Sequence, residues 1–142
     1  MKKKNNIENY IKLFENLNLE NLNKFDELLD KNIYFEDPFN KVNGIENFKR
    51  IFSNTLKNLD DVEFKVLNII SKKNIHIIKW EMIYFAFNKS NSIFGLSEVT
   101  ISPNKKIISH IDYWDSYNNF YTQIPFFGLI FKFVLSLVRK RI

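Results

Sequence analysis

A chain of 142 residues, 45% of them hydrophobic and including 15 Phe, 6 Tyr and 2 Trp, suits a single domain on one ring-rich core, because a second core would leave each half too small. The absence of cysteine excludes a disulfide framework, a thiolate zinc module and a cysteine nucleophile. The net charge of +5 sits largely in Lys2, Lys3, Lys4 and in Arg139, Lys140, Arg141, and no interior stretch interleaves dense Arg and Lys with aromatics, so no nucleic-acid partner is expected.

The basic start is followed by a polar-interrupted pattern without a continuous apolar run or a small-residue cleavage site, so a secretory leader is not expected and the expected location is cytoplasmic. Ile7, Tyr10, Ile11, Phe14 and Leu17 recur at three and four, which predicts a first helix with one buried face. A second short helix is predicted over Leu22, Phe25, Leu28 and Leu29. Ile33, Phe35 and Asp37 then alternate with Tyr34 and Glu36, the pattern of a brief strand that Pro38 ends, leaving Asp37 at its mouth. After the Asn43-Gly44 turn, Ile45, Phe48, Ile51, Phe52 and Leu56 return to helical spacing.

From Val62 to Asp115 the pattern changes to runs of Val, Ile, Phe, Tyr and Trp, interrupted near Lys73, Asn88 and Asn104, which reads as four strands joined by tight hairpins. Alternation groups Trp80, Met82 and Tyr84 on one face and Lys79 and Glu81 on the other; it also groups Gly95, Ser97 and Val99, and His110, Asp112 and Trp114. Helices first and a meander of long strands afterwards is an α+β order, with the helices on one face of the sheet. The domain is placed over residues 1–120, with residues 121–142 as a helical extension of it. The apolar run beginning at Ile124 is too short to span a bilayer, and Pro125 and Gly128 break its first turn. From Leu129 to Ile142 it reads as an amphipathic helix that either packs over the pocket mouth or a partner subunit, or makes peripheral contact with an anionic membrane through its basic residues.

Three stretches in this order and spacing resemble the nuclear-transport-factor-2-like (NTF2-like) superfamily, in particular its SnoaL-like and ketosteroid-isomerase-like branches. They are Tyr10 with the segment after it, Tyr34-Phe-Glu-Asp-Pro-Phe39 with Gly44 opening the next helix, and Gly95-Leu-Ser97 followed by His110-Ile-Asp-Tyr-Trp-Asp115. The resemblance implies a cone in which a curved antiparallel sheet wraps a pocket against N-terminal helices. It also implies a homodimer through the open face of the sheet. Function does not follow from this fold, which hosts isomerases, cyclases, epoxide hydrolases and binding modules.

By the ketosteroid-isomerase pattern, Asp37 matches the general base and Tyr10 the tyrosine donor, while Ser97 stands where a protonated acid would be the second donor. The plain alternative is that Asp37 caps the turn before Pro38 and Tyr10 is a core ring. By the SnoaL-like pattern, His110 and Asp112 are a catalytic pair, and a carboxylate beside an imidazole among aromatic rings suits proton transfer. The plain alternative there is a structural His–Asp hydrogen bond. Trp80, Met82, Tyr84, Trp114 and Phe35 would line the pocket in either case. No metal or other cofactor is assigned: His110 and Asp112 offer two ligands, with His76 on another strand. Chemistry of the limonene-epoxide type would want an arginine between two acids, and Arg50, the only Arg before residue 139, falls on a predicted helix. Two readings stay open, a cofactor-free acid–base isomerase or cyclase acting on an apolar carbonyl compound, and a non-catalytic binding module for a hydrophobic ligand or lipid.

Overall fold

The computed structural model describes residues 6–124 and 126–139, so Pro125 and the basic residues Lys2, Lys3, Lys4, Lys140 and Arg141, together with Ile142, lie outside the described residues. The chain runs through α1 (Asn6–Glu15), a 3-10 turn (Leu22–Glu27), β1 (Leu29–Glu36), β2 (Lys41–Asn43) and α2 (Ile45–Asn58). It continues through the long strands β3 (Asp60–Lys72), β4 (Ile75–Ala86), β5 (Lys89–Ile101) and β6 (Ile107–Trp114), then α3 (Ser116–Asn119), a second 3-10 turn (Tyr121–Gln123) and α4 (Phe127–Arg139).

The strands form one six-stranded open sheet in the order β2-β1-β6-β5-β4-β3. All neighbours are antiparallel except β1 and β6, which run parallel. Register breaks in the β3–β4 ladder, between Asp60 and Glu63 and between Val66 and Asn68, and one between β5 and β6, bend the sheet. At the second β3 break the Val66 N–H donates to the Glu15 carboxylate at 3.1 Å, which ties α1 to the edge strand. The β4–β5 hairpin turns through Phe87 and Asn88, both at positive φ (54° and 58°), as a two-residue turn matching the twist of long strands requires.

The concave face carries the core. Ile7, Tyr10, Ile11 and Leu17, together with Phe25, Phe48 and Phe52 from the helices, close on Ile33, Phe35, Ile78, Val99 and Ile107 from the sheet. The rings interlock, with Phe48 and Phe52 centroids 4.8 Å apart, Phe25 and Phe48 5.0 Å, and Phe35 and Phe48 5.3 Å. The α+β order and the alternation of faces stand as the sequence implies. Three local features differ. The second helix is a six-residue 3-10 turn, because the Asn18 side chain accepts from the N–H groups of Glu20 and Asn21 and holds the approach in a turn. The first strand begins earlier, at Leu29, and gains β2 as a short partner too brief to show a period. The C-terminal helix does not close the pocket: none of its residues lines the cavity, and of its side only Gly128 is buried. Gly128 packs on the backbone of Thr122, where a Cβ would meet the Thr122 carbonyl oxygen, and this contact holds the helix against the preceding 3-10 turn.

Candidate functional site

Alternation along β4, β5 and β6 turns Trp80, Met82, Tyr84, Ser97, His110, Asp112 and Trp114 to the concave face, and α1 and α2 roof it. Between them lies a cavity of about 460 Å³, a size suited to a small organic ligand. Its wall includes Tyr10, Phe35 and Asp37 besides those seven, so the ten residues assigned to the pocket from the sequence border one space. Trp80, Ser97, His110 and Asp112 share one side of one sheet, as the two-residue period requires.

Five of them form one hydrogen-bonded chain. The Trp80 indole N–H donates to Ser97 Oγ at 2.7 Å, and the Ser97 hydroxyl donates to Asp112 Oδ1. From the other side, His110 Nε2 lies 2.7 Å from the same Asp112 oxygen, and His110 Nδ1 lies 2.5 Å from the Tyr10 hydroxyl. Register explains the first half, since Ser97 stands opposite Asp112 across the β5–β6 ladder and Trp80 stands opposite Gly95, two residues from Ser97. Gly95 is the residue that admits the indole, because a Cβ there would overlap the Trp80 six-membered ring. Burial, and secondarily the Asp112 charge, push the Tyr10 phenol well above its ordinary range, so the hydroxyl keeps its proton and needs an acceptor. Among the described residues His110 Nδ1 is that acceptor, which leaves the ring proton on Nε2, aimed at Asp112.

The Ser97 hydroxyl and the His110 Nε2–H therefore both donate to Asp112 Oδ1. The other oxygen, Oδ2, has no protein partner among the described residues and is not enclosed, so it meets the cavity space. His110 is itself packed among rings, 5.3 Å from Phe35 and 5.8 Å from Phe14 between centroids. Such apolar packing leaves the imidazole little freedom and makes its two hydrogen bonds costly to lose.

Asp37 stands apart from this chain. Its Oδ1 accepts from the backbone N–H groups of Phe39 and Asn40, both at 2.7 Å, and from the Asn40 side chain, which also reaches Oδ2 at 3.0 Å. The carboxylate borders the cavity while organising the turn after β1. Ser97 and Tyr10 direct their hydroxyls to Asp112 and His110, away from any ligand. Three donors on the wall remain without a protein partner among the described residues, the Tyr84 phenol, whose pKa burial raises, the Trp114 indole N–H and the Asn58 side-chain amide. Among the described residues no three His, Asp or Glu side chains group as metal ligands; His76 bonds Ser71 Oγ at 2.7 Å, beyond the cavity wall. Among the described residues no Arg or Lys lines the cavity, and Arg50 is exposed on α2.

The sequence reading misses the contribution of α2, β3 and the residue between them, where Ile51, Phe52, Thr55, Leu59, Phe64 and Val66 complete the wall. Ile51, Thr55 and Leu59 recur at four, but spacing alone does not separate a stripe facing a cavity from one facing solid core. The Tyr10–His110 bond joins positions 100 apart and leaves no local trace.

No curated protein matches the sequence. Among solved structures, an NTF2-like protein of unknown function from Exiguobacterium sp. 255-15 superposes with TM-score 0.67 at 13% identity, over 78% of this chain and 98% of that one. An LEH-like epoxide hydrolase from M. tuberculosis gives 0.66 at 15% identity over 81% and 79%. A protein assigned as a SnoaL-like polyketide cyclase, from Jannaschia sp. CCS1, gives 0.64 at 13% identity over 78% and 85%. At such identities the likeness is one of fold. The family described as "Uncharacterized conserved protein (DUF2358)" matches residues 3–110, which span α1 through the first half of β6; the chain has the fold of the NTF2-like proteins, and it belongs to that family.

Proposed function

We propose that the protein binds an apolar, carbonyl-bearing small molecule in the cavity and that Asp112 transfers a proton on it without a cofactor, in a step of isomerase or cyclase type. The observation that carries this reading is the asymmetry of the Asp112 carboxylate, with Oδ1 held by Ser97 and His110 and Oδ2 open to the cavity. Held in this way, Oδ2 accepts a proton from a C–H bond next to the carbonyl. The electron pair passes to the carbonyl oxygen as an enolate, which the Trp114 N–H or the Tyr84 O–H stabilises, and return of the proton to another carbon completes an isomerisation. Tyr10, His110, Ser97 and Trp80 position the carboxylate. The apolar remainder of the wall, Phe14, Phe52, Phe64 and Met82 among it, equally supports a module that holds a hydrophobic ligand without turnover. The reading extends to a second copy on the outer face of the sheet, where Phe94, Leu96 and Tyr113 are exposed and Leu96 pairs with Tyr113.

Asp112→Asn separates catalysis from binding, because the amide oxygen still accepts from Ser97 and His110 while the NH2 facing the cavity takes no proton. With 2-tetralone as probe, NMR in D2O is expected to show deuterium gain next to the carbonyl with the unaltered protein. The variant should lose about 10²–10⁴-fold of that rate while quenching of Trp80 and Trp114 fluorescence by the probe is preserved. Binding without exchange in either protein would leave the binding-module reading alone.

A further inference from the structure

We infer that α4 is a docking surface for an anionic lipid membrane, set beside the mouth of the cavity. Helical spacing places Leu129, Phe133, Leu137, Ile130, Val134, Phe127 and Val138 on one half of the circumference. All seven are exposed, Leu129 at 72%. Lys132, Ser136 and Arg139 occupy the opposite side, next to the Gly128 contact with Thr122. Gly128 on Thr122, Phe131 on Tyr121 and the half-buried Leu135 mark the side that meets the body of the protein, and the apolar arc of seven exposed residues points outward.

Charge selects the occupant. Residues 116–142 contain no Asp or Glu, while Lys132, Arg139, Lys140 and Arg141 supply four cations in the same segment. A segment that exposes an apolar arc and carries cations but no carboxylate is complementary to the acyl boundary of a membrane with anionic headgroups. A second copy would bring the same cations to the contact. No helix among the described residues is long and apolar enough to cross a membrane, so α4 lies in the interface plane.

The arc is also continuous with the cavity. Phe131 of α4 packs on Tyr121 (5.2 Å between centroids), Tyr121 on Phe39 (6.0 Å) and Phe39 on Trp114 (5.2 Å), whose indole borders the cavity. Phe39 and Phe120 line the same space while remaining exposed, which marks its mouth. Docking through α4 thus sets that mouth against the lipid phase, and, on the proposed reading of the cavity, its apolar ligand enters from there.

Flotation of the full chain with phosphatidylcholine vesicles, with and without phosphatidylglycerol, tests the docking. The unaltered protein should float with the anionic vesicles and not with pure phosphatidylcholine. Ile130→Glu/Phe133→Glu should reduce flotation at least tenfold, and Lys132→Gln/Arg139→Gln should remove the dependence on phosphatidylglycerol; circular dichroism and thermal melting should show each variant folded, since all four side chains are exposed. Absence of flotation with anionic vesicles, or unchanged flotation of the Glu pair, would overturn the inference. So would a dimer by light scattering that the Glu pair dissociates and that does not float, which assigns the arc to a second copy. Asp112→Asn should float like the unaltered protein, and the Glu pair in vesicle-free solution should match it in 2-tetralone exchange, so failure of the proton-transfer reading and failure of the docking are told apart.

Discussion

Phe48 on α2 and Phe133 on α4 each belong to an apolar helical stripe, yet Phe48 is fully buried and Phe133 is 64% exposed. α2 meets the concave face of the sheet, where Phe25, Phe35 and Phe52 surround Phe48. α4 follows β6 after that face has been covered by α1 and α2, and its contacts concentrate on the preceding 3-10 turn. The same side-chain chemistry therefore yields a core in one region and an outward apolar arc in the other, and what separates them is the availability of an opposing surface.

The largest effect expected to test this comparison is in the core. Phe48→Ala should cost about 3–5 kcal/mol in urea denaturation, whereas Phe133→Ala should stay within about 0.5 kcal/mol. A comparable loss for Phe133→Ala would mean that α4 is packed in solution and would break the contrast. Gly95→Ala comes next, with a cost of about 1–3 kcal/mol from overpacking against the Trp80 ring. The indole displaced by that change should also lose its bond to Ser97, which a shift in tryptophan emission reports.

Tyr10→Phe is expected to cost about 1–2 kcal/mol, since His110 Nδ1 loses its donor inside an aromatic shell. Its pH signature sharpens the test. A phenol raised in the folded state contributes stability that is fully present below the unfolded value near 10 and is lost as pH rises through the folded one. Removing the hydroxyl should therefore flatten the alkaline loss of stability above about pH 10, while His76, whose pKa burial lowers, leaves the acid limb unchanged between the two proteins.

Much of the fold was legible in the chain because period and punctuation are local properties. Alternation at Trp80, Ser97, His110 and Asp112 assigned the inner face, and the turns at Lys73 and Asn88 bounded strands that the structure places at Asp60–Lys72, Ile75–Ala86 and Lys89–Ile101. The α+β arrangement with helices on one face follows from that order, whereas the cone was implied by the family resemblance. Tertiary structure alone decided which carboxylate stands free. The sequence offers both Asp37, at the mouth of a strand, and Asp112, beside His110 on a late strand, as acid–base candidates, but Asn40 closes a turn on Asp37, while Asp112 meets His110 and, through it, Tyr10 from the far end of the chain. Nor does helical spacing contain the position of α4, since a stripe states how much apolar surface must be covered and the packing of every other element determines what remains to cover it.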